Sequence, residues 1–365
     1  MMTPSGCLRA ILLLLLATPA WAADGFGDVQ RTLFVAGRDS TAVAVVSIES
    51  ERVIGRLELG LVPRQLAVSE SLAKLAAADG RSAQVTVAEL ASRAVTRLPL
   101  PLAPTRLLVS PDGLTLAAFD DASGGIALVD LLLLREKARL AGPPRIRDAM
   151  FAGDGKSLFL AADGVAGVTV LDAAASRPAA ILPGPSATAL ARAPNGREGF
   201  ALAGGEVLHF DLKAPAILGR LAAPGATGLY PTGTGRFLML PDSDRRSLTL
   251  APAQPLAPAA PLKAAAGMSA AYSAWFDTVA LLPSRSEESV LLYDLETRQP
   301  AGRIPLSGAP GPGVVTPDGG KLYLPIEGEK ELAVIDARLR RRAATIAVGF
   351  APTQAVMAGG YGICH

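Results

Sequence analysis

Four arginines follow turn-forming loops in the sequence, and they are the residues of this chain best suited to binding a ligand. Arg64, Arg106 and the pair Arg145 and Arg147 follow such loops at intervals of about 41 residues. A guanidinium group can hold a carboxylate or phosphate through two parallel hydrogen bonds. The arginines therefore predict a binding site for a small anionic ligand. The loops are Gly60-x-x-Pro63, Pro101-x-x-Pro104 and Gly142-Pro143-Pro144.

Two other interpretations of the charged residues stay open. The arginines can be solvated side chains paired with nearby acids, and such surface pairs contribute little to stability. Acidic residues also recur in predicted turns, where they form either a ring for a cation or basic partner, or turn-closing side chains that bond to backbone amides. These acids are Asp39, Asp79, Asp120, Asp163, Asp242, Asp244, Glu287 and Glu327.

The sequence offers little for catalysis, and we predict no catalytic residue, no metal site and no cofactor. His209 lies in a predicted strand, where a structural role is expected. Cys364 and His365 end the chain, but Tyr361 stands where covalent haem attachment would require a second Cys. We interpret residues 359–365 as a C-terminal tail.

A repeat of about 41 residues positions these candidates. Turns with a small or polar residue before Gly place their last glycines at 113, 155, 196, 235 and 319, so the first four are 42, 41 and 39 residues apart and the last interval of 84 spans two repeats. Each repeat contains four short runs rich in β-branched and aliphatic residues, separated by Gly, Pro and Asp. Such runs indicate strands.

Four strands in each repeat of this length predict the blade of a β-propeller. We expect an all-β chain with a single propeller over residues 31–358, with eight four-stranded blades favoured and seven as the alternative. The alternative arises because residues 236–274 depart from the pattern. The innermost strand near 352–357 should join three strands from residues 31–59 in one mixed blade, since an open ring would leave exposed strand edges.

The repeats resemble those of the YVTN-type β-propeller family, and the chain is similar to an exported bacterial member. The resemblance rests on a strand ending in a Val-x-Asp-like triplet, a Gly-x-x-Pro loop and a Ser-Pro-Asp-Gly turn. It implies a binding or accessory protein. The triplets are Leu128-Val129-Asp130, Val170-Leu171-Asp172, Leu292-Tyr293-Asp294 and Val334-Ile335-Asp336, with His209-Phe210-Asp211 as a divergent copy.

Residues 1–22 have the pattern of a secretory signal peptide. Arg9 precedes a short leucine-rich run, and Ala20 and Ala22 fit the small-residue positions before a cut. The run is shorter than the ~20 residues that span a bilayer. We therefore predict cleavage after Ala22, a lead over residues 23–30, and a periplasmic or secreted monomer without stable membrane insertion.

Composition and charge narrow the function further. Half of the residues are hydrophobic, and 35 Lys and Arg balance 33 Asp and Glu. A nucleic-acid-binding protein would need a basic surplus, so we expect no nucleic-acid partner. The favoured hypothesis is a propeller that presents its loops to a small anionic ligand or a protein partner without catalysis. The alternatives are a lactonase-like hydrolase with a metal at the channel mouth, and an accessory protein of a periplasmic redox pathway.

Overall fold

The computed structural model describes Phe26 and residues 28–359, which form eight four-stranded antiparallel sheets around a central channel. A short 3-10 helix (Val29–Arg31) precedes the first strand. The protein is an eight-bladed β-propeller, which confirms the favoured fold prediction and excludes seven blades. Within this described part of the chain, no helix is long and apolar enough to cross a membrane.

In each of the first four blades, the strands lie in the following order from the innermost to the outermost. Blade 1 contains β32 (Pro352–Met357), β1 (Thr32–Gly37), β2 (Ala42–Ser47) and β3 (Arg52–Glu58). Blade 2 contains β4 (Gln65–Ser69), β5 (Lys74–Ala78), β6 (Gln84–Glu89) and β7 (Val95–Pro99). Blade 3 contains β8 (Arg106–Val109), β9 (Thr115–Asp120), β10 (Gly125–Asp130) and β11 (Arg135–Ala141). Blade 4 contains β12 (Ile146–Phe151), β13 (Ser157–Ala162), β14 (Val168–Asp172) and β15 (Arg177–Leu182).

The remaining four blades follow the same order. Blade 5 contains β16 (Ala187–Arg192), β17 (Glu198–Ala203), β18 (Glu206–Asp211) and β19 (Ala216–Ala222). Blade 6 contains β20 (Tyr230–Pro231), β21 (Phe237–Asp242), β22 (Ser247–Pro252) and β23 (Pro261–Lys263). Blade 7 contains β24 (Tyr272–Ala274), β25 (Val279–Ser284), β26 (Ser289–Asp294) and β27 (Gln299–Pro305). Blade 8 contains β28 (Val314–Val315), β29 (Lys321–Pro325), β30 (Glu331–Asp336) and β31 (Arg341–Ala347).

Blade 1 closes the ring with strands from both ends of the described chain. β32 pairs antiparallel with β1, and Phe34 lies opposite Val356. Leu33 and Val35, the residues of β1 on either side of Phe34, are fully buried. The mixed blade predicted from the sequence is thus present, with three strands from residues 32–58 and the innermost strand from residues 352–357.

Blade 6 is the irregular unit, as its sequence predicts. The segment rich in Ala and Pro after β22 runs as a loop, and only three residues, Pro261–Lys263, form the outermost strand. The two middle strands, β21 and β22, keep a continuous six-residue register from Phe237 opposite Pro252 to Asp242 opposite Ser247. Blade 6 therefore keeps its place in the ring because its middle strands are regular.

Hydrophobic side chains fill the spaces between neighbouring blades. Phe159 of β13 in blade 4 stacks on Phe210 of β18 in blade 5, with 5.5 Å between the ring centres. Such apolar contacts are the main source of stability in repeat folds, because each unit buries its face against the next one.

The two faces of the ring carry different connections. The loops between blades and the turns between second and third strands form the loop face, which includes residues 59–64 and 100–105. The turns between first and second strands and between third and fourth strands form the turn face, which includes residues 110–114 and 131–134.

On the turn face, the Asp of each Val-x-Asp-like triplet closes the turn that follows it. Asp130 Oδ1 accepts hydrogen bonds from the backbone N–H groups of Leu132 (2.9 Å) and Leu133 (2.8 Å). The structure therefore gives these aspartates the turn-forming role typical of Asp. The same pattern recurs at Asp172, Asp211 and Asp294.

Asp294 should make the stability of the propeller depend on pH. Its carboxylate accepts the Thr297 N–H and pairs with Arg340 at 2.7 Å, and these contacts lower its pKa to about 2. Because the pKa falls on folding, the stabilisation is present above about pH 4 and is lost as the pH falls towards 2. Between those pH values, we expect the wild-type melting temperature to fall further than that of Asp294→Asn.

The matched control is Asp130→Asn, which changes the equivalent turn of blade 3. Asp130 makes the same two backbone bonds, and no arginine contact with it is recorded among the described residues. Thermal melting followed by circular dichroism across this pH range measures both variants. Identical acid sensitivity of wild type and Asp294→Asn would contradict the assigned role.

Candidate functional site at the central channel

The central channel contains two cavities that meet at Pro312. One has a volume of about 440 Å³ and lies among the innermost strands of blades 1, 2, 3 and 8. The other has a volume of about 530 Å³ and lies against blades 4 to 8. Both fall within the range of ordinary small-molecule pockets.

The walls of these cavities include one equivalent residue from each blade, and we call this set the channel ring. In each blade, one residue of the innermost strand pairs with the fourth residue of the second strand, and the ring residue is the one just before it. In blade 2, Leu66 of β4 pairs with Ala77 of β5, so the ring residue is Gln65. The other regular inner strands have matching registers. The channel ring consists of Gln354, Gln65, Arg106, Asp148, Ala189, Gly228, Ala270 and Pro312.

The channel ring is polar on one side and small on the other. Blades 1 to 4 contribute the two glutamines, Arg106 and Asp148, whereas blades 5 to 8 contribute two alanines, Gly228 and Pro312. Short side chains on one half leave room beside the polar half. At the level of the channel ring, a ligand would meet hydrogen-bonding side chains on one side and the short side chains of blades 5 to 8 on the other.

Arg106 is tied to two carboxylates. Its Nε donates to Asp121 Oδ1 at 3.1 Å and its Nη1 to Asp148 Oδ1 at 3.2 Å. Its side chain is 19% exposed and that of Asp148 is 10% exposed. Asp148 Oδ2 in turn accepts the Leu190 N–H at 2.8 Å. This chain of contacts joins the innermost strands of blades 3, 4 and 5.

The glutamines of the channel ring behave differently from each other. Gln354 Oε1 accepts the Leu66 N–H at 3.0 Å, which joins blade 1 to blade 2 as Asp148 joins blade 4 to blade 5. Among the described residues, the Gln65 side chain has no hydrogen-bond partner. Gln65 therefore presents an amide to the channel, with two donors and one acceptor.

The other three arginines predicted from the sequence lie on the loop face and are exposed. Arg145 donates to the backbone oxygen of Asp163 at 3.3 Å, and Arg147 lies 3.6 Å from the Asp163 carboxylate. The Arg147 backbone oxygen also accepts a bond from Arg106. The structure thus groups Arg106, Arg145 and Arg147, while Arg64 has no recorded ion pair with a described residue and directly precedes Gln65.

The sequence predicts Glu327 only as an acidic turn residue and does not single out Arg285 or Tyr272, yet all three line the far side of the channel. Arg285 and Glu327 form a two-point ion pair, with Nη2 to Oε2 at 2.8 Å. The bond from Arg285 holds the pKa of Glu327 below its usual value. Tyr272 accepts the Gly313 N–H at 3.0 Å through its hydroxyl oxygen. The sequence does contain a signal for the channel ring, because the ring residues occupy equivalent positions in successive repeats.

Most of the acidic residues that recur in the predicted turns either close those turns or form ion pairs. Asp79 accepts bonds from the backbone and hydroxyl of Ser82. Burial would raise the pKa of Asp79, but these bonds bring it below its usual value. Glu287 pairs with Arg303. Within the described residues, no group of three or more His, Cys, Asp and Glu could hold a metal ion.

His209, the histidine within residues 28–359, does not line either channel cavity. His209 lies on β18, bonds to Glu198 at 2.9 Å and stacks on Phe200 at 4.9 Å. These contacts fit the structural role expected from the sequence. Cys364 and His365 lie outside the described residues, as does the predicted signal peptide.

Several solved structures are similar to this propeller. Dihydro-heme d1 dehydrogenase NirN in complex with DHE matches with a TM-score of 0.74 and 17% identity, covering 91% of this chain and 76% of that chain. Apo AztD from Citrobacter koseri matches with a TM-score of 0.69 and 15% identity, covering 91% of this chain and 98% of that chain. Hydrazine synthase from Kuenenia stuttgartiensis matches with a TM-score of 0.57 and 15% identity, covering 75% of this chain and 95% of that chain.

These similarities show the fold alone, because the identities are low. No family model and no curated protein sequence matches the chain. The β-propeller fold is thus established.

Arg106→Gln should destabilise the propeller, because it removes the ion pair that Arg106 makes with the buried Asp148 carboxylate. Breaking such a pair costs about 2–4 kcal/mol of unfolding free energy when the pair is slightly solvent-accessible. The measurement is urea unfolding at neutral pH. Arg177→Gln, which changes an exposed arginine on β15, is the control and should stay within about 0.5 kcal/mol of wild type.

A double variant separates loss of charge balance from loss of packing. Arg106→Gln with Asp148→Asn restores the wild-type net charge of the cluster with Asp121 and should recover part of the lost stability. If Arg106→Gln unfolds like wild type, the contacts from Arg106 to Asp121 and Asp148 do not stabilise the ring.

Proposed function

We propose that this chain is an exported binding or accessory propeller that holds a small carboxylate- or phosphate-bearing ligand at the polar half of its channel ring. The observation that carries the proposal is the asymmetry of that ring. Four consecutive blades place polar side chains at one level, and the other four leave space beside them. Resemblance to exported members of the YVTN-type family supports the same role.

The ligand contacts can be assigned by asking which donors remain for an anion. Arg106 is already balanced by two carboxylates, so we propose that it orients Asp148 and contributes little net charge to the ligand. Gln65 and the amide nitrogen of Gln354 face the cavity as neutral donors. Arg64 adds a charged donor on the loop face directly before Gln65, and a hydrogen bond from a charged donor is stronger than one from a neutral donor.

The arginines of blade 4 have a lesser part in this proposal. Arg145 and Arg147 share the neighbourhood of Asp163, which offsets part of their charge. We propose that they guide anions towards the channel from the loop face. Attraction of this kind acts over about a Debye length and weakens with salt.

The likeness to NirN in complex with DHE raises the question whether a haem-type molecule could occupy the channel. The described residues do not supply a histidine for its iron, since His209 of β18 is bonded to Glu198 of β17. The described part of the site fits the acidic groups of such a molecule better than its metal. A porphyrin with carboxylate side chains is therefore a useful test ligand.

Calorimetric titration of purified protein tests the proposal with citrate, inorganic phosphate and protoporphyrin as probes. We expect at least one probe to bind. The double variant Arg64→Gln with Gln65→Leu should weaken that binding by about tenfold or more, since a hydrogen bond to a charged group contributes roughly 1.5–3 kcal/mol. Arg177→Gln is the matched control and should bind as wild type does.

Each outcome of the titration has a definite meaning. Binding that depends on Arg64 and Gln65 supports the channel site. Binding that the double variant leaves unchanged would place the ligand elsewhere, and no heat with any probe would overturn the proposal for small anions.

A further inference from the structure

We propose that the turn Trp275-Phe276-Asp277-Thr278 on the turn face is a docking site for an acidic protein segment that carries apolar side chains. This site is independent of the channel and of the function proposed above. It lies between β24 and β25 of blade 7, at the place where five other blades carry a five-residue turn with a glycine in the left-handed conformation.

The backbone of this turn is strained. Trp275, Phe276 and Asp277 have φ values of 48°, 53° and 56°, so three successive non-glycine residues are left-handed. This conformation is unfavourable for residues with a Cβ atom. The short length of the turn does not require it, because the four-residue turn of blade 2, residues 70–73, has only Ala73 at positive φ.

Neighbouring blades hold the strained turn on both sides. The Trp275 N–H donates to Gly319 O of blade 8 at 2.7 Å. The buried Asp277 carboxylate accepts the N–H groups of Gly233 and Thr234 of blade 6, each at 2.9 Å. Phe276 lies between these two fixed residues and is 74% exposed. The ring of Phe276 is thus held in solvent by contacts that its neighbours make.

Two further apolar residues enlarge the exposed surface. Trp275 packs edge to face against Phe276, with 5.4 Å between ring centres. Leu339, in the last turn of blade 8, is 54% exposed and follows Arg338, whose guanidinium lies 5.3 Å from the Trp275 ring. We call Trp275 and Phe276 the aromatic patch, and Leu339 is the exposed apolar residue that follows Arg338 beside it. Exposed aromatic and aliphatic clusters of this kind mark protein interaction sites.

The charges around the aromatic patch indicate an acidic partner. Arg338 lies on the Trp275 ring. Arg236 belongs to the blade 6 turn that bonds to Asp277, and Arg298 belongs to the last turn of blade 7. These two guanidinium groups lie 4.8 and 5.3 Å from the ring of Phe237. All three are exposed, and no ion pair with a carboxylate is recorded for them within the described residues. Arginine and aromatic residues are enriched at the energetic centres of interfaces. Carboxylates of a partner would form ion pairs with these three guanidinium groups.

A protein segment fits this surface better than an anionic membrane. A flat bilayer would touch the whole turn face, which also carries the exposed carboxylates of Glu70, Asp112 and Asp154. These would be repelled by anionic lipid. A short peptide can contact the aromatic patch and its arginines without approaching the other blades.

Tryptophan fluorescence gives a direct test. The chain has two Trp residues, and Trp21→Phe in the full chain leaves Trp275 as the reporter. The probes are short synthetic peptides of Asp and Glu with Leu and Phe anchors, and the same acidic peptides with Ser at the anchors. We expect the anchored peptides to shift Trp275 emission saturably, and to bind at least tenfold more tightly than the Ser peptides.

Variants of the patch and a matched control complete the experiment. Phe276→Ser should weaken binding about tenfold, and Arg338→Gln should weaken it and reduce its salt dependence. Leu133→Ser changes another exposed apolar residue of the turn face, on blade 3, and should have no effect. Anisotropy of labelled peptide provides a readout independent of Trp275.

Three results would overturn the proposal. One is failure of the anchored acidic peptides to bind, and the second is equal loss of binding in Phe276→Ser and Leu133→Ser. The third is Phe276-dependent binding to vesicles of phosphatidylcholine and phosphatidylglycerol in the absence of peptide binding, which would make the aromatic patch a lipid-binding site.

Discussion

The pairing of β1 with β32 is the constraint on which the rest of the structure depends. Each blade buries its faces against its two neighbours, so no blade is complete until the ring closes. Closure joins residues from opposite ends of the described chain, with Phe34 opposite Val356. It also gives the eight innermost strands a common register around the channel. Without that register, equivalent positions of the repeats would not share one level.

The proposed binding site is a consequence of this register. Because every blade offers one residue to the channel ring, a change of residue type in consecutive repeats creates a polar sector without any change in fold. The same position also joins blades: Gln354 bonds to blade 2, and Asp148 bonds to blade 5 and pairs with Arg106 of blade 3. Stability and recognition therefore share residues, which explains why Arg106 serves the ring more than a ligand.

The sequence predicts the fold well because turns and strand lengths are local properties. Where the third strand ends in Asp, as at Asp130 in blade 3, the carboxylate accepts hydrogen bonds from backbone N–H groups of the turn that follows. Even the irregular blade 6 keeps a position that the repeat length assigns. Contacts between blades are harder to predict. The partner of Arg106, Asp148, is one repeat away, and only the three-dimensional register shows that it lies within hydrogen-bond distance.

Amide hydrogen exchange, measured by mass spectrometry, tests the central claim that β32 closes the ring as a full member of blade 1. The account predicts that amides of residues 352–357 that bond to β1 exchange only on global unfolding, as slowly as those of β9 and β13 in complete blades. Fast exchange of residues 352–357 in an otherwise protected protein would contradict closure by this strand, and with it the common register of the channel.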